Sequence, residues 1–386
     1  MRLPAARRTT TLLAGLTFLA GLTAGAGATA GADPDDAPTP QAGSRYDSPV
    51  VKAHPSNRTN PLAGRRWGVY KGPLEQAWPP YENASGTTKK LLAEIALRPK
   101  AKWFGDWVPA NEIEGKVRDY VRISQAGNPR TLVQMALFAM EPWGEEVCRR
   151  APNAGERATY RRWIAAVGRG IGSAHTAVVL QPDLLVARCG PQGGKAVARM
   201  VAAAAKTLSA RPNTSVYIDA GAYDWPPPSR GGADAAVNYL VRSGVRYARG
   251  FSLNGTHYSP LRLEVTRAGD IADELRRRGI GGKKAIISTS SNGKGFEFGR
   301  YDPQSQRDNA RTCRSRTDKR MCVMLGAPPS MDPDNPRWGL SPALRRTAAR
   351  TVDGYLWFGR PWLYNQADPF VRSRALDLAR SWRLKP

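Results

Sequence analysis

The residues best placed to do chemistry lie in one stretch, Thr176-Ala177-Val178-Val179-Leu180-Gln181-Pro182-Asp183-Leu184-Leu185. Its first part is aliphatic and β-branched, which predicts a buried strand. Pro182 has no N–H for the ladder, so the strand is expected over 176–182 and to end at the proline. Asp183 then stands at the carboxyl end of a buried strand. A carboxyl poorly solvated there has a raised pKa and can serve as a general acid at neutral pH. Capping a turn is the plainer use of the same residue. Other chain segments end in a similar way. Trp103, Glu141, Glu145, Glu146, Asp219, Asn254, Asn292 and the loop from Trp357 to Asn365 follow apolar runs. Acids, amides and large aromatics in that combination suit sugar binding and glycoside hydrolysis, in which two carboxyl groups flank the cleaved bond. There is no Ser/His nucleophile elbow. No metal-ligand cluster appears in the sequence, so no metal or cofactor is expected.

The elements that must hold these residues alternate. Strands are predicted over 101–104, 132–140, 176–182, 215–221, 249–254, 285–290 and 354–358. Helices are predicted over 87–97, 156–167, 196–208, 233–242, 261–278 and 370–384. Strand and helix in alternation imply parallel pairing through crossovers. Without GxGxxG after the first strand, or GxxxxGK[ST] anywhere, a nucleotide-binding open sheet lacks support. The expected fold is α/β: a barrel-like sheet of seven parallel strands with its site at the carboxyl ends of the strands. The Gly-, Pro- and Arg-rich stretch 293–340 is expected to roof one side of that site.

The same residues carry a resemblance. Val178–Leu185 is similar to the E-P-D-[SA]-L segment of glycoside hydrolase family 6, the cellobiohydrolases and endoglucanases acting on β-1,4-glucans. Val216-Tyr217-Ile218-Asp219-Ala220-Gly221, with Trp225 beyond it, resembles Y-L-D-A-G-H-x-x-W. Gly250–Asn254 is similar to G-F-A-x-N, Ile286–Gly293 to I-I-D-T-S-R-N-G, and Tyr355-Leu356-Trp357 to the last strand before K-P-x-G-E-x-D. The resemblance covers about residue 62 to the end and implies the distorted barrel. It also implies hydrolysis with inversion: Asp183 as proton donor, Asp219 as its electrostatic support, Trp103 and Trp225 as sugar-stacking rings, and Asn254 as a strand-end amide; Trp357 and Asn365 are added as substrate contacts from their place at a strand end. Departures fall around the base. Gln181 replaces the Glu of E-P-D, and Val147 precedes Cys148 where the family has an Asp. Ala222 stands for a His, Ser288 and Ser291 for an Asp and an Arg, and Asn365 for the last Asp. The water-activating role therefore passes to Glu141, Glu145 or Glu146. A relative that binds glycan without cleaving it, or one acting on an acidic glycan, is the alternative.

Composition sets the address. Arg2, Arg7 and Arg8 precede a mostly apolar stretch 11–25 and small-residue cleavage sites, which predicts a signal peptide over 1–32 and a secreted, extracellular protein with no membrane span after its removal. Residues 33–60 are predicted as a linker and 61–386 as the catalytic domain. Four cysteines in an exported chain suggest two disulfides, with three possible connectivities. Cys313 and Cys322 enclose a short basic loop and are read as one pair, leaving Cys148 with Cys189. The net charge is +26. Such a surface favours acidic partners, an anionic cell envelope among them, although scattered charge also serves solubility. No basic stretch is interleaved with aromatics as a nucleic-acid groove would be, so nucleic acid is not expected. The expected partner is a polysaccharide substrate, bound by a monomer.

Overall fold

The computed structural model describes residues 44–385. The predicted signal peptide, and the part of the predicted linker before residue 44, lie outside the described residues. Seven strands form one parallel sheet: β1 (Lys102–Gly105), β2 (Val133–Phe138), β3 (Thr176–Leu180), β4 (Thr214–Asp219), β5 (Gly250–Leu253), β6 (Lys284–Ser288) and β7 (Val352–Leu356). Their spatial order is their chain order. Parallel neighbours need crossovers, and helices supply them, among them Ala154–Ile171, Pro191–Ser209, Gly232–Arg242 and Leu261–Arg277. No ladder joins β1 to β7. Instead the Ala101 N–H donates to the Trp357 carbonyl at 2.9 Å. The sheet is thus the expected distorted seven-stranded barrel.

Both sheet faces are buried, as alternation along β3 illustrates. Val178 and Leu180 face a large core shared with the helices. Ala177 and Val179 face a second core holding Trp67, Trp103, Tyr217 and Phe358. A strand covered on both sides reads as an unbroken apolar run, which is why 176–180 was legible. Helix Ala154–Ile171 starts where its sequence dictates. Asn153 Oδ1 accepts from the Glu156 N–H (2.9 Å) and Glu156 Oε2 from the Asn153 N–H (2.7 Å), a reciprocal cap.

Three expectations change. Helices Ile113–Gln125 and Pro342–Thr351 were not predicted. The first carries Ile113, Val117, Tyr120, Val121 and Ser124 on one buried face, at helical spacing, between charged residues. The last strand starts two residues before the predicted 354, because Val352 and Asp353 extend it. Residues 44–60, predicted as linker, pack onto the barrel. Ser48 donates to the Pro329 carbonyl (2.6 Å), and Asn57 Nδ2 donates to Asp353 Oδ1 (2.8 Å). Among the described residues no helix is long and apolar enough to cross a membrane.

Asp353 is fully buried in β7. It accepts from Arg249 Nε (2.8 Å) and from the Tyr217 hydroxyl (2.7 Å), as well as from Asn57. This carboxylate joins β4, β7 and the segment before β1. Breaking a buried pair from one side leaves the other charge uncompensated. Asp353→Ala is expected to cost about 3–5 kcal/mol, read as a lower denaturation midpoint in urea.

Candidate active site

The carboxyl ends of the strands converge on a cleft in two halves. One half, about 590 Å³, is lined by Asp183, Trp225, Arg230, His257, Phe298 and Asp308, among others. The second, about 510 Å³, is lined by Lys102, Trp103, Trp107, Phe138, Arg360 and Asp368, among others. Asp183, Thr256, Asn365 and Gln366 line both. Asp183 is therefore at the centre of an extended cleft, lining both of its halves.

Local backbone geometry puts it there. The ladder ends when Gln181 donates its N–H to the Leu137 carbonyl (2.8 Å), and Gln181 and Asp183 then take left-handed conformations, φ +55° and +61°. Such conformations are costly for residues with a side chain and persist where the surroundings impose them. Asp183 Oδ1 accepts from the Thr256 hydroxyl at 2.6 Å. Thr256 is fixed in turn by Gln366, whose Nε2 donates to the Thr256 carbonyl (2.7 Å). Burial pushes the Asp183 carboxyl above the ordinary range; the Thr256 hydrogen bond and the charge of His257 oppose this, and the Asp308 carboxylate adds to it.

Asp219 ends β4 beneath Asp183, buried and outside both halves. Its Oδ1 accepts from the Gly221 N–H at 3.0 Å. Gly221 has φ +76°, and a Cβ there would lie 2.2 Å from the Trp225 carbonyl, so this turn needs glycine. Burial, and then repulsion from Asp183, push Asp219 well up. Asp219 thus interacts with Asp183 by charge without facing the cleft.

The other sequence-predicted residues divide. Trp103, Trp225 and Asn365 line the cleft. Both tryptophans already carry a neighbour on the ring. The Arg360 guanidinium lies 4.0 Å from the centroid of Trp103, and the His257 ring stacks on Trp225 at 5.5 Å and 13°. Trp357 is a correction. It is fully buried, packs against Trp362 and Trp382, and donates Nε1 to the Ala327 carbonyl (3.0 Å). Because β7 ends at Leu356, Trp357 turns into this core and Phe358 takes the place beside Trp103. Asn254 is a second correction. Its Nδ2 donates to the Ser288 carbonyl (3.0 Å) and its Oδ1 accepts from the Ser259 N–H (3.1 Å), so the backbone holds this fully buried amide away from both halves of the cleft.

The proposed base carboxylates are not where the expectation put them. Glu145 and Glu146 lie on the short exposed helix Glu145–Arg149, ion-paired with Arg149 (3.0 Å) and Arg150 (2.7 Å). Glu141 lines neither half. Burial, with a hydrogen bond and repulsion from Asp106, pushes it up to about 7. Gln181 is fully buried, and neither amide atom has a partner among the described residues. The four cysteines pair as read, Cys148–Cys189 and Cys313–Cys322. The first disulfide ties the helix after β2 to the turn after Asp183. The 293–340 stretch brings Phe298, Arg307 and Asp308 to the cleft.

Sequence reasoning missed Thr256, His257, Arg360 and Trp107. His257 Nδ1 shares a 2.9 Å hydrogen bond with Asp224 Oδ1, and its ring stacks on Phe298 at 4.4 Å. Asp224 Oδ2 accepts from the Phe298 N–H (2.6 Å). The one signal was local: Thr256 and His257 directly follow the strand end at Asn254.

A parallel barrel with a carboxyl at the centre of an elongated, aromatic-lined cleft defines a class of proteins that hold an extended ligand at their strand ends. The model of the glycosyl hydrolases family 6 matches residues 62–295, more than half of the chain, and the chain belongs to that family. Endoglucanase A of Cellulomonas fimi is 34% identical over 231 residues, covering 59% of this chain and 47% of that protein. The chain thus spans about half the length of this relative. Endoglucanase 1 of Streptomyces halstedii is 29% identical over 272 residues, 67% of this chain and 77% of that one. The solved endoglucanase Cel6 of Mycobacterium tuberculosis, in complex with methyl-cellobiosyl-4-deoxy-4-thio-β-D-cellobioside, superposes with a TM-score of 0.65 at 27% identity, over 84% of this chain and 99% of that one.

The Thr256 hydroxyl stabilises the charged form of Asp183. Thr256→Val is therefore expected to raise the Asp183 pKa further, read by carbon NMR titration of the carboxyl with Asp183→Asn as the assignment control. An unchanged or lower value would contradict the role given to this hydrogen bond.

Proposed function

We propose that the protein is a secreted glycoside hydrolase that cleaves β-1,4-linked glucan with inversion, with Asp183 as general acid. The observation that carries this reading is the position of Asp183 between the two halves of the cleft, with its pKa raised by burial. A carboxyl whose protonated form is favoured by burial can deliver its proton to the glycosidic oxygen as the C1–O bond breaks. Water then adds to C1 from the opposite face, loses a proton to a base, and leaves the new hydroxyl with inverted configuration. Family membership and the endoglucanase names of the relatives support the substrate class. Two disulfides suit an oxidising, extracellular setting.

The water's proton needs an acceptor. In the half of the cleft beside Trp225, His257 and Asp308 both have that capacity. Asp308 accepts as a carboxylate; His257 can accept only in its neutral form, with Asp224 holding one ring nitrogen and the other left to face the water.

Asp183→Asn is expected to lower kcat on soluble β-1,4-glucan by about 10²–10⁴-fold. Proton NMR of fresh wild-type product is expected to show the α-anomer. Wild-type protein that binds the chain but releases no product would establish a sugar-binding relative instead, and a β-anomeric product would exclude inversion. His257→Asn and Asp308→Asn separate the two acceptors. The variant lacking the true acceptor loses the acidic limb of the kcat/KM profile, while the other keeps it.

A further inference from the structure

Four cations line the cleft: Lys102 and Arg360 in one half, Arg230 and Arg307 in the other. Among the described residues, none of their side chains makes an ion pair or a hydrogen bond. The molecule carries 58 Lys and Arg against 32 Asp and Glu, so unpaired cations at the surface are expected. Lys102 and Arg360 differ because they are desolvated. Arg360 Nε is buried without a partner, and burial leads the causes that push Arg360 down to about 9 and Lys102 down to about 8, with each other's charge adding for Lys102. A part-buried cation with no carboxylate in contact is costly, and a fold that keeps two in one pocket leaves room for an anion supplied from outside. Asp368 lines the same pocket, but at more than ion-pair distance from both. Asp183 lines this pocket as well and Glu75 acts on both cations from nearby, yet none of the three carboxylates makes an ion pair with either.

The aromatic surfaces point the same way. A neutral sugar stacks on a bare ring face. Here the Arg360 guanidinium covers Trp103 at 4.0 Å, and Arg307 lies 5.2 Å from the Phe298 centroid in the other half. A guanidinium on an aromatic face is held in plane, with its N–H edge free to meet a carboxylate in bidentate fashion. The rings then act as supports for cations on both sides of Asp183.

From these residues we propose that the cleft selects an acidic glycan: a β-1,4-linked chain whose sugars carry carboxylates at C6, met by Arg360 and Lys102 on one side of the cleaved bond and by Arg307 and Arg230 on the other. The proposal rests on the hydrolase reading only for the path of the chain, and its test uses binding.

Titration calorimetry of full-length Asp183→Asn protein compares cellohexaose with the β-1,4-linked hexamer of glucuronate. The acidic hexamer is expected to bind about tenfold or more tightly at about 50 mM salt, with the preference shrinking toward parity at about 500 mM as charge is screened. Arg360→Gln and Lys102→Gln, each added to that background, are expected to cut the preference severalfold. Arg161→Gln with Arg199→Gln, in a basic groove outside the cleft, is expected to leave it intact. Should Arg360→Gln not fold, Arg307→Gln on the exposed turn Gln304–Asn309 carries the same prediction. Cellohexaose bound as tightly as the acidic hexamer overturns the proposal. So does an equal loss from the distant pair, which would assign the preference to overall charge. Turnover is read separately: wild type that cleaves neither chain ends the hydrolase reading, while the binding ratio still decides this one.

Discussion

Asp183 stands at the end of a strand buried on both faces, and the loss of water around its carboxyl is the constraint on which the site depends. The same desolvation acts on Asp219 below it and, in the opposite sense, on Lys102 and Arg360 beside it. Carboxyls are pushed toward their protonated form and cations toward their neutral form, because low polarity disfavours charge of either sign. The scaffold tolerates this where it can fix the groups by backbone. Thr256, Gln366 and the turn at Gly221 hold the acids with hydrogen bonds.

The barrel supplies the geometry. Seven parallel strands in chain order send every carboxyl end to one side. Chain reversal there uses left-handed residues, and several of these are at or next to the cleft: Gln181, Asp183, Asn254, Asn365 and Gln366. Their strain is held by the rest of the fold, including the Asp353 network that ties β7 to β4 and to the segment before β1. Rigidity at the base of the barrel and strain at its mouth are thus parts of one arrangement.

Around Asp183 the groups come from several elements. Glutamates after β2 are spent on surface arginines, an Asp–His pair stands beside Trp225, and a guanidinium lies over Trp103. Rings and guanidinium groups thus meet on both sides of Asp183.

Sequence by itself determined the strand–helix alternation, the parallel barrel, the pairing of the cysteines and the position of Asp183, because each depends on local pattern: apolar runs, a proline stop, short spacing. Tertiary structure decided everything that depends on which way a side chain turns after its strand has ended. Trp357 looked like a cleft residue and is core, because β7 begins two residues earlier and stops before it. Asn254 looked like a ligand and is consumed by two backbone groups. Glu145 and Glu146 lie near the right strand end, but their short helix faces solvent, where arginines four residues on pair with them. Arg360 and His257 follow strand ends, which the sequence does show, but their roles come from rings and carboxyls brought to them across the barrel by segments 33 to 257 residues away.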